Sequence, residues 1–259
     1  MRETIVKVGI EASKYVREMW EKKGVDKVIG YHDQDTTRVV DKLSEEYIFD
    51  LLEHSGFSFS FVSEESGRVF KGNYDYVVVI DPLDGSSNFI SGIPWSSVSI
   101  AVFRKDEKDF LNSISGVIAE IFRDRIYSYD EKSSYLNEKL VERKEEVKSR
   151  IVLAYYDKES MDDATKIFSK IKGGFKIRTL GSASLDMVLV CTGKALFYFD
   201  IKGKLRNVDI AASSNFCSRL GIDTVDIKGK RLNVSISDVE KVGNVMLSSD
   251  PALISQLSS

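Results

Sequence analysis

The sequence contains few residues of the types that bind soft metals or build disulfide networks. Its 259 residues include only two histidines, two cysteines and three prolines. Zinc sites are built mainly from histidine and cysteine ligands close together, so two histidines and two dispersed cysteines argue against one. Because Cys191 and Cys217 are widely separated in the chain, we expect both to be buried free thiols in a reducing cytoplasm.

Long apolar runs and an excess of positive charge are also missing. The net charge is −3, so no basic surface argues for nucleic-acid binding. No segment approaches the roughly 20 apolar residues of a membrane span, and the charged N-terminal segment is unlike a secretory signal. We therefore expect a cytoplasmic protein that acts on small molecules and binds neither nucleic acid nor membranes.

Hydrophobic periodicity predicts alternating helices and strands along most of the chain. Helices are predicted from the N-terminus to about residue 23 and over 41–53, 161–171, 182–191 and 208–220. Strands are predicted over 57–62, 76–80, 97–103, 115–121, 125–129, 151–154, 175–180 and 195–199. This alternation is typical of a layered α/β fold. Residues 24–40 read as a loop that could close over a site, and residues 130–149 as a solvated connection. We therefore divide the chain into halves at 1–145 and 146–259.

Acidic residues follow two of the predicted strands. The run 76–80 is apolar without alternation, which predicts a strand buried on both faces. Asp81 and Asp84 follow it, and such close carboxylates repel each other unless one is protonated or a cation is present. Glu64 and Glu65 end the preceding predicted strand. If the two strands are neighbours, these acids converge, and Mg²⁺ is the usual partner of clustered carboxylates. A network of solvated surface charges is the alternative interpretation.

A short turn directly follows these acids. Gly85, Ser86 and Ser87 have the composition of a turn whose successive backbone N–H groups bind an anion. Cations beside an anion-binding turn are typical of a site for a phosphate ester.

Four segments of the sequence resemble motifs of the lithium-sensitive sugar phosphatases, the inositol monophosphatase and fructose-1,6-bisphosphatase superfamily. They are SEES at 63–66, DPLDGSSN at 81–88, GSA at 181–183 and NVDIAA at 207–212. The segments occur in the family's order and cover most of a catalytic fold. The whole chain most resembles the archaeal type that acts on both inositol monophosphate and fructose-1,6-bisphosphate. This resemblance implies an αβαβα sandwich, a homodimer or higher homo-oligomer, and a role in carbohydrate metabolism such as gluconeogenesis.

The resemblance also implies a ligand set for two or three Mg²⁺ ions, with Mn²⁺ as a substitute. The implied ligands are Glu64, Asp81, the Leu83 carbonyl, Asp84 and Asp209. Glu65 is implied either as a further ligand or as a residue that holds one. Asp41 and Ser86 are implied to orient the attacking water, although Asp41 could also cap a helix. The catalytic set is therefore Asp41, Glu64, Asp84 and Ser86.

The resemblance also implies a set of substrate contacts, and the sequence departs from the family pattern at a few positions. The contacts are Asp84, Gly85, Ser86, Arg178, Ala183, Asp200 and Lys202. Lys202 stands where we expect arginine, which weakens a two-point grip on a second phosphate. Asn207 and Val208 precede Asp209 without the usual tryptophan. Arg178 could instead form a structural ion pair, whereas Ser86 in place of threonine retains the hydroxyl.

The predicted reaction is hydrolysis of a phosphate monoester by a water molecule that the metal ions activate, with no protein nucleophile. Fructose-1,6-bisphosphate and inositol 1-phosphate are the predicted substrates. The alternatives are a 3′-phosphoadenosine 5′-phosphate phosphatase of the same superfamily and a non-catalytic regulator that binds metal or phosphate.

A further alternative rests on residues 33–37, DQDTT, which fit the DxDxT pattern of phosphatases with an aspartyl-phosphate intermediate. That chemistry requires a buried strand before Asp33. The preceding segment is too polar and too short for one, which favours a loop.

Overall fold

The computed structural model describes residues 1–32, 35–70, 72–144, 147 and 149–258. Its helices are α1 (Arg2–Met19), α2 (Val39–Glu53), α3 (Ser86–Ile90), α4 (Met161–Lys170), α5 (Ala183–Cys191), α6 (Asn207–Ser218) and α7 (Pro251–Ser258). Its strands are β1 (Val28–His32), β2 (Asp35–Arg38), β3 (Phe59–Ser63), β4 (Gly67–Val69), β5 (Tyr76–Asp84), β6 (Ser97–Arg104), β7 (Ser115–Glu120), β8 (Ile126–Tyr129), β9 (Ser134–Leu136), β10 (Lys139–Leu140), β11 (Ile151–Tyr155), β12 (Lys176–Arg178), β13 (Phe197–Asp200), β14 (Val225–Asp226) and β15 (Val245–Ser248).

The larger sheet has eight strands in the order β10-β9-β8-β7-β6-β5-β3-β4. Successive residues of β5 point to opposite faces, so its apolar run serves two cores. Val78 and Ile80 pack in one core with Ile5 of α1 and Ile48 of α2. The prediction that this strand is buried on both faces is confirmed, because its other apolar residues enter a second core.

The second core lies between the two sheets and contains α5 and α6. Val77 and Val79 of β5 share it with Val188 of α5 and Ala211 of α6. The smaller sheet, in the order β12-β11-β13-β15-β14, contributes residues such as Tyr198 from its inner face. The two helices are therefore covered on both sides, which explains why they are buried around most of their circumference.

A third core closes the outer face of the smaller sheet. Phe197 and Phe199 of β13 pack there with Ala164 of α4 and Leu253 of α7. The layers are thus α1 and α2, the eight-stranded sheet, α5 and α6, the five-stranded sheet, then α4 and α7. This order is the predicted αβαβα sandwich, so the fold class is confirmed. The division near residue 145 stays a prediction, since α5 and α6 pack on both sheets.

Several elements differ from the predictions. Within the predicted loop 24–40, β1 and β2 form an antiparallel pair. Within the predicted solvated connection 130–149, β9 and β10 continue the larger sheet beyond β8. The strand predicted over 175–180 is only the three-residue β12. Polar sequences hid these strands, because edge strands with one solvated face need few apolar residues. The alternative DQDTT motif falls partly outside the described residues.

The prediction of free thiols is wrong. Cys191 and Cys217 form a disulfide that joins α5 to α6, with their Cα atoms 5.5 Å apart. The two helices pack side by side in the central layer, so residues 26 positions apart in the chain become neighbours. Among the described helices, none is both long enough and apolar enough to cross a membrane.

Candidate metal centre and phosphate-binding turn

Glu64 and Asp81 come together because their strands are parallel neighbours. β3 and β5 pair with Ser63 beside Ile80, so the next residues, Glu64 and Asp81, lie at the same level. The Glu64 N–H donates to the Ile80 carbonyl at 3.2 Å, which continues the pairing by one residue. The carboxyl ends of the two strands therefore present both acids at one edge of the sheet, as the sequence predicts.

Asp209 reaches the same edge from the first turn of α6. Its Oδ2 accepts a hydrogen bond from the Arg206 N–H at 2.7 Å, which caps the helix. Carboxylate oxygens of Glu64, Asp81 and Asp209 all lie within 4.8 Å of one another. We call these three residues the acid cluster. Its members lie up to 145 positions apart in the chain, so only the assembled fold brings them together.

The acid cluster has the donor chemistry of a site for a hard divalent cation. Asp81 is only 3% exposed. Burial raises its pKa well above the usual range, and the charges of Glu64, Asp84 and Asp209 raise it further. Clustered carboxylate oxygens are the ligands that Mg²⁺ and Mn²⁺ prefer. These residues therefore fit the predicted metal, because a bound cation would remove the repulsion that disfavours their ionised forms.

Arg206 is a charged neighbour of this cluster that sequence reasoning missed. Its guanidinium donates to Glu64 and lies 3.6 Å from Asp209 Oδ1. Its side chain is 17% exposed. The chain thus supplies one positive charge to the cluster itself. The available signal was its position three residues before Asp209, where it is the N-cap residue of α6.

A bulge in β5 separates the two aspartates that follow the apolar run. Asp81 lies opposite Ser99 of β6, whereas Asp84 lies opposite Ser97, so three steps on β5 match two on β6. Hydrophobic periodicity predicts a strand that ends at residue 80, but the pairing of β5 with β6 continues through Asp84. The extra residue redirects the chain between the aspartates, so they make different contacts.

Leu83 lies in this bulge and is buried. Its N–H donates to Asp81 Oδ1 at 3.0 Å. The carbonyl of Pro82 accepts a hydrogen bond from Ser44 Oγ of α2 at 2.7 Å. These bonds fix the backbone around the Leu83 carbonyl, whose role as a metal ligand stays a prediction.

Asp84 contacts the start of α5 and is not a member of the acid cluster. Its Oδ1 accepts from the Ala183 N–H at 3.0 Å, and its Oδ2 from the Ser184 N–H at 2.9 Å. The hydroxyls of Ser182 and Ser97 also donate to Oδ2. Burial raises the pKa of Asp84 to about 7, against the lowering effect of the Ser182 bond. Because a carboxylate offers about four lone-pair sites, Oδ1 keeps capacity for a further partner.

The turn after Asp84 can be formed only with glycine at its first position. Gly85 has φ 85° and ψ 37° and immediately precedes α3. A Cβ there would lie 2.9 Å from the Trp95 carbonyl oxygen and 3.0 Å from that of Gly181. Asn88 fixes the other end of the turn by donating to the carbonyls of Trp95 and Leu180 at 2.8 and 2.7 Å. The N–H groups that begin α3, including that of Ser86, have no acceptor within the helix and so suit an anion.

Asp41 does cap α2, as the helix-cap interpretation predicts. Its Oδ2 accepts from the Arg38 N–H at 2.8 Å. Its Oδ1 is buried and has no hydrogen-bond partner among the described residues. Burial raises the pKa of Asp41 to about 8, and the charges of Glu64 and Glu65 add to the increase. A buried oxygen of this kind calls for a water or ion as its partner, which is compatible with the predicted role in orienting water. No hydrogen bond joins Asp41 to Ser86 among the described residues.

The turn that carries Glu64 and Glu65 is held by α2 and β2. Thr37 Oγ1 donates to Glu65. Glu45, fully buried in α2, accepts from the Ser66 N–H at 2.9 Å and pairs with Lys42 at 2.7 Å. The predicted second role of Glu65, holding another group in place, is the one that this contact favours.

Of the remaining predicted substrate contacts, Arg178 and Asp200 lie on strands of the smaller sheet, and Lys202 follows β13 by two residues. Asp200 is 2% exposed, and burial raises its pKa, while Lys202 opposes the increase. Lys202 Nζ lies 3.6 Å from Asp200 Oδ2 and 5.0 Å from the centre of the Tyr155 ring. Arg178 is exposed and donates to the carbonyl of its neighbour Ile177. None of the ion pairs described for this structure involves Arg178, so the alternative of a structural ion pair has no support among the described residues.

Asp186 is a second charged residue that sequence reasoning missed. It is fully buried in α5 and accepts hydrogen bonds from Trp95 Nε1 and the Tyr155 hydroxyl. Burial raises its pKa to about 7, and both hydrogen bonds lower it. The signal in the sequence was an acid inside the otherwise apolar helix ASLDMVLVC, where a solvated charge has no place.

The sequence of this chain matches a known protein family. The family model described as "Inositol monophosphatase family" matches residues 1–258. The chain belongs to the inositol monophosphatase family. Membership supports a phosphatase that depends on metal ions, and it confirms the resemblance found in the motifs.

Similar proteins cover nearly the whole length of this family member. It is 30% identical to an inositol-1-monophosphatase of Aeropyrum pernix, over 98% of this chain and 94% of that one. It is also 30% identical to a fructose-1,6-bisphosphatase/inositol-1-monophosphatase of Methanocaldococcus jannaschii, over 94% and 92% of the two chains. A solved structure from Pyrococcus horikoshii, described as similar to inositol-1 monophosphatase, superposes with a TM-score of 0.82 at 29% identity and covers 98% of this chain and 94% of its own.

Proposed function

We propose that this chain is a Mg²⁺-dependent phosphomonoesterase that hydrolyses fructose-1,6-bisphosphate and inositol 1-phosphate. The observation that carries the proposal is the acid cluster, in which three carboxylates from distant parts of the chain lie within 4.8 Å of one another. Relatives named for one or both of these activities support the choice of substrates. Mn²⁺ would serve in place of Mg²⁺.

Different residues of the chain would hold the metal ions, bind the phosphate and orient the water. Glu64, Asp81 and Asp209 would hold the metal ions, together with Asp84 Oδ1 and the Leu83 carbonyl. Bound Mg²⁺ supplies a positive charge that neutralises the phosphate and lowers the pKa of water. Gly85 and Ser86 would then bind the phosphate, and Asp41 and Ser86 would orient the attacking water.

The phosphate would be bound by the N–H groups of Gly85 and Ser86, which point away from any helical acceptor. Asp41 would accept or orient a proton of the attacking water through its buried Oδ1, with the Ser86 hydroxyl as its partner. Lys202 and Asp200 would contact the hydroxyls or the second phosphate of the sugar. Arg178 would contact the substrate from the exposed end of β12.

The decisive experiment measures phosphate release from three substrates by one purified sample. Fructose-1,6-bisphosphate, inositol 1-phosphate and 3′-phosphoadenosine 5′-phosphate are compared by kcat/KM with Mg²⁺ and with a chelator. We expect turnover of both sugar phosphates, its loss in the chelator, and its loss in Asp84→Asn. Asp163→Asn, which changes an exposed acid of α4, is the matched control and should keep full activity.

Two results would contradict the proposal. Turnover of the adenosine phosphate alone would assign the chain to the other branch of the superfamily. Metal binding without any phosphate release would indicate the non-catalytic regulator.

We also propose, from the family resemblance, a cytoplasmic homodimer that acts in carbohydrate metabolism. Light scattering of the purified protein tests the dimer, and a mass close to 29.2 kDa would contradict it. Cell fractionation tests the location. A disulfide in an intracellular protein is characteristic of hyperthermophilic organisms, so this location predicts such a host.

A further inference from the structure

A hydrogen-bond network lies behind residues 181–183, the GSA motif, which we call the substrate turn. The carboxylate of Asp186 accepts from Trp95 Nε1 at 2.9 Å through Oδ1. Its Oδ2 accepts from the Tyr155 hydroxyl at 2.6 Å. Asp186 is 0% exposed and Tyr155 8%. We call Trp95, Tyr155 and Asp186 the buried triad, of which Trp95 is only partly buried.

The buried triad is connected to the backbone of the substrate turn. The Tyr155 hydroxyl, while donating to Asp186, accepts from the Gly181 N–H at 2.6 Å. Residues 182–184 follow directly, and all three donate to the carboxylate of Asp84. The chain of contacts therefore runs from Asp186 through Tyr155 and one backbone segment to Asp84.

The same triad holds the phosphate-binding turn on its other side. The backbone carbonyl of Trp95 accepts from Asn88 Nδ2, and so does the carbonyl of Leu180. Asp186 bonds directly to Trp95 and is linked to the segment beginning at Leu180 through the Tyr155 hydroxyl. It therefore adds a further connection between the two turns, beside those that Asn88 and Asp84 make.

A purely structural role does not explain why an acid occupies this place. Burying a carboxylate costs free energy even when it is hydrogen-bonded, and an apolar group of similar size commonly serves a core as well or better. Here every hydrogen bond described for the side chain of Asp186 goes to a segment that ends at the candidate site. The cost is reasonable if the acid defines a geometry that function requires.

Building on the proposed function, we propose that Tyr155 and Asp186 are positioning residues that orient Asp84 for the metal ions through residues 181–184. They touch neither substrate nor metal. Removing either leaves the turn without its anchor, so the Asp84 carboxylate no longer presents Oδ1 in one direction. Residues that hold a metal ligand in this indirect way typically contribute 10–100-fold to metal affinity or activity.

The test compares tyrosine-to-phenylalanine changes at two neighbouring rings. Tyr155→Phe removes the hydroxyl that joins Asp186 to Gly181. Tyr198→Phe is the matched control: the ring lies 5.6 Å from that of Tyr155, and its buried hydroxyl has no hydrogen-bond partner among the described residues. Mn²⁺ binding is measured by calorimetry, and the Mg²⁺ concentration for half-maximal phosphate release by kinetics.

We expect Tyr155→Phe to weaken Mn²⁺ binding by roughly tenfold or more and to raise the half-maximal Mg²⁺ concentration similarly. Tyr198→Phe should change neither. Asp186→Asn should behave like Tyr155→Phe, and the double variant should lose little more than either single variant because both act on one turn. Circular dichroism checks that each variant is folded, and Tyr155→Phe alone suffices if Asp186→Asn does not fold.

Three outcomes would overturn the inference. The first is Mn²⁺ binding and Mg²⁺ dependence in Tyr155→Phe equal to those of the wild type, whatever happens to thermal stability. The second is a double variant whose loss is the product of the single losses. The third is a wild-type protein that does not bind Mn²⁺. A wild type that binds Mn²⁺ but releases no phosphate would contradict the proposed function alone, and calorimetry would still decide the role of the triad.

Discussion

Two groups of buried or partly buried carboxylates lie close together in this fold, and they make different contacts. Asp84 and Asp186 accept hydrogen bonds from backbone N–H groups, hydroxyls and an indole. The acid cluster instead brings carboxylates into proximity with one another, with Arg206 as a cation from the chain. The first group organises backbone, whereas the second accumulates negative charge that a divalent cation can neutralise.

The contrast separates acids that the protein itself supplies with donors from acids that require a cation, and Asp84 stands between the two because its Oδ1 accepts only one hydrogen bond from the described residues and keeps capacity for a metal ion. Burial alone does not do it, because Asp81, Asp84 and Asp186 are all less than a tenth exposed. The kind of neighbour distinguishes the two groups of acids. An acid surrounded by donors has its charge satisfied by the protein, and an acid surrounded by other acids requires a cation or a proton.

The largest expected effect comes from removing a charge of the acid cluster. Asp81→Asn should lower phosphate release by about a thousandfold or more, since metal binding supplies several kcal/mol of charge stabilisation. The same change should stabilise the metal-free protein at pH 8, because it removes a buried charge that faces like charges. Steady-state kinetics and urea unfolding in chelator measure the two effects. A less stable variant would mean that Asp81 is a structural acid, and the comparison would fail.

The disulfide joins α5, which follows the substrate turn, to α6, which carries Asp209. Replacing Cys191 and Cys217 by alanine should lower the free energy of unfolding by about 2–4 kcal/mol. Urea unfolding with and without reductant measures this effect. Reductant should destabilise the wild type and leave the double variant unchanged. Equal stability of the reduced and oxidised wild type would show that packing alone holds α5 to α6.

Asp186 should give the folded protein a measurable pH dependence. Its pKa is about 7 when folded, against 3.8 as the reference value. Between these values the unfolded chain releases the proton and the folded chain retains it. Stability should therefore fall as pH rises through this window, by up to about 1.4 kcal/mol per pH unit, and level off above pH 7.

Asp186→Asn should remove this contribution. The measurement is the free energy of unfolding in urea at four pH values from 5 to 8, without metal, for both proteins. Because the other buried acids are common to both, the difference between the two curves isolates Asp186. Parallel curves would show that its hydrogen bonds keep it ionised throughout.

The smallest expected effect concerns Arg206. Arg206→Met removes the positive charge that the chain supplies to the acid cluster, so Mg²⁺ would no longer compete with it. We expect the half-maximal Mg²⁺ concentration to fall by roughly 1.4- to fivefold, which corresponds to the 0.2–1 kcal/mol typical of exposed ion pairs. Kinetics at graded Mg²⁺ measure it. A higher requirement for Mg²⁺ would show that Arg206 orients the ligands instead.

Much of the site could be predicted because its chemistry is local in sequence. Asp81 and Asp84 follow an apolar run, and the glycine after them marks a turn, so strand, acids and turn can be read directly. That Glu64 lies beside Asp81 required one assumption about strand order, which the parallel pairing of β3 and β5 confirms. The roles of these residues stay predictions.

What the sequence did not reveal depends on packing between distant segments. Arg206 and Asp186 are ordinary charged residues until the fold shows their neighbours. Cys191 and Cys217 are close only because α5 and α6 share the central layer. β1, β2, β9 and β10 were missed because their sequences are polar, and hydrophobic periodicity detects only strands with a buried face.

The contact between Gly85 and Gly181 limits how this enzyme fold can be altered. Each glycine has a positive φ, and a methyl group on either would collide with the segment of the other: the Gly181 oxygen at 3.0 Å in one direction, the Asn88 amide at 2.6 Å in the other. Insertions or bulkier residues meant to reshape the proposed substrate site near Gly181 would therefore push directly on the turn at Gly85. Larger substitutions would be tolerated better at Arg178 and Lys202, which lie outside the contact between Gly85 and Gly181.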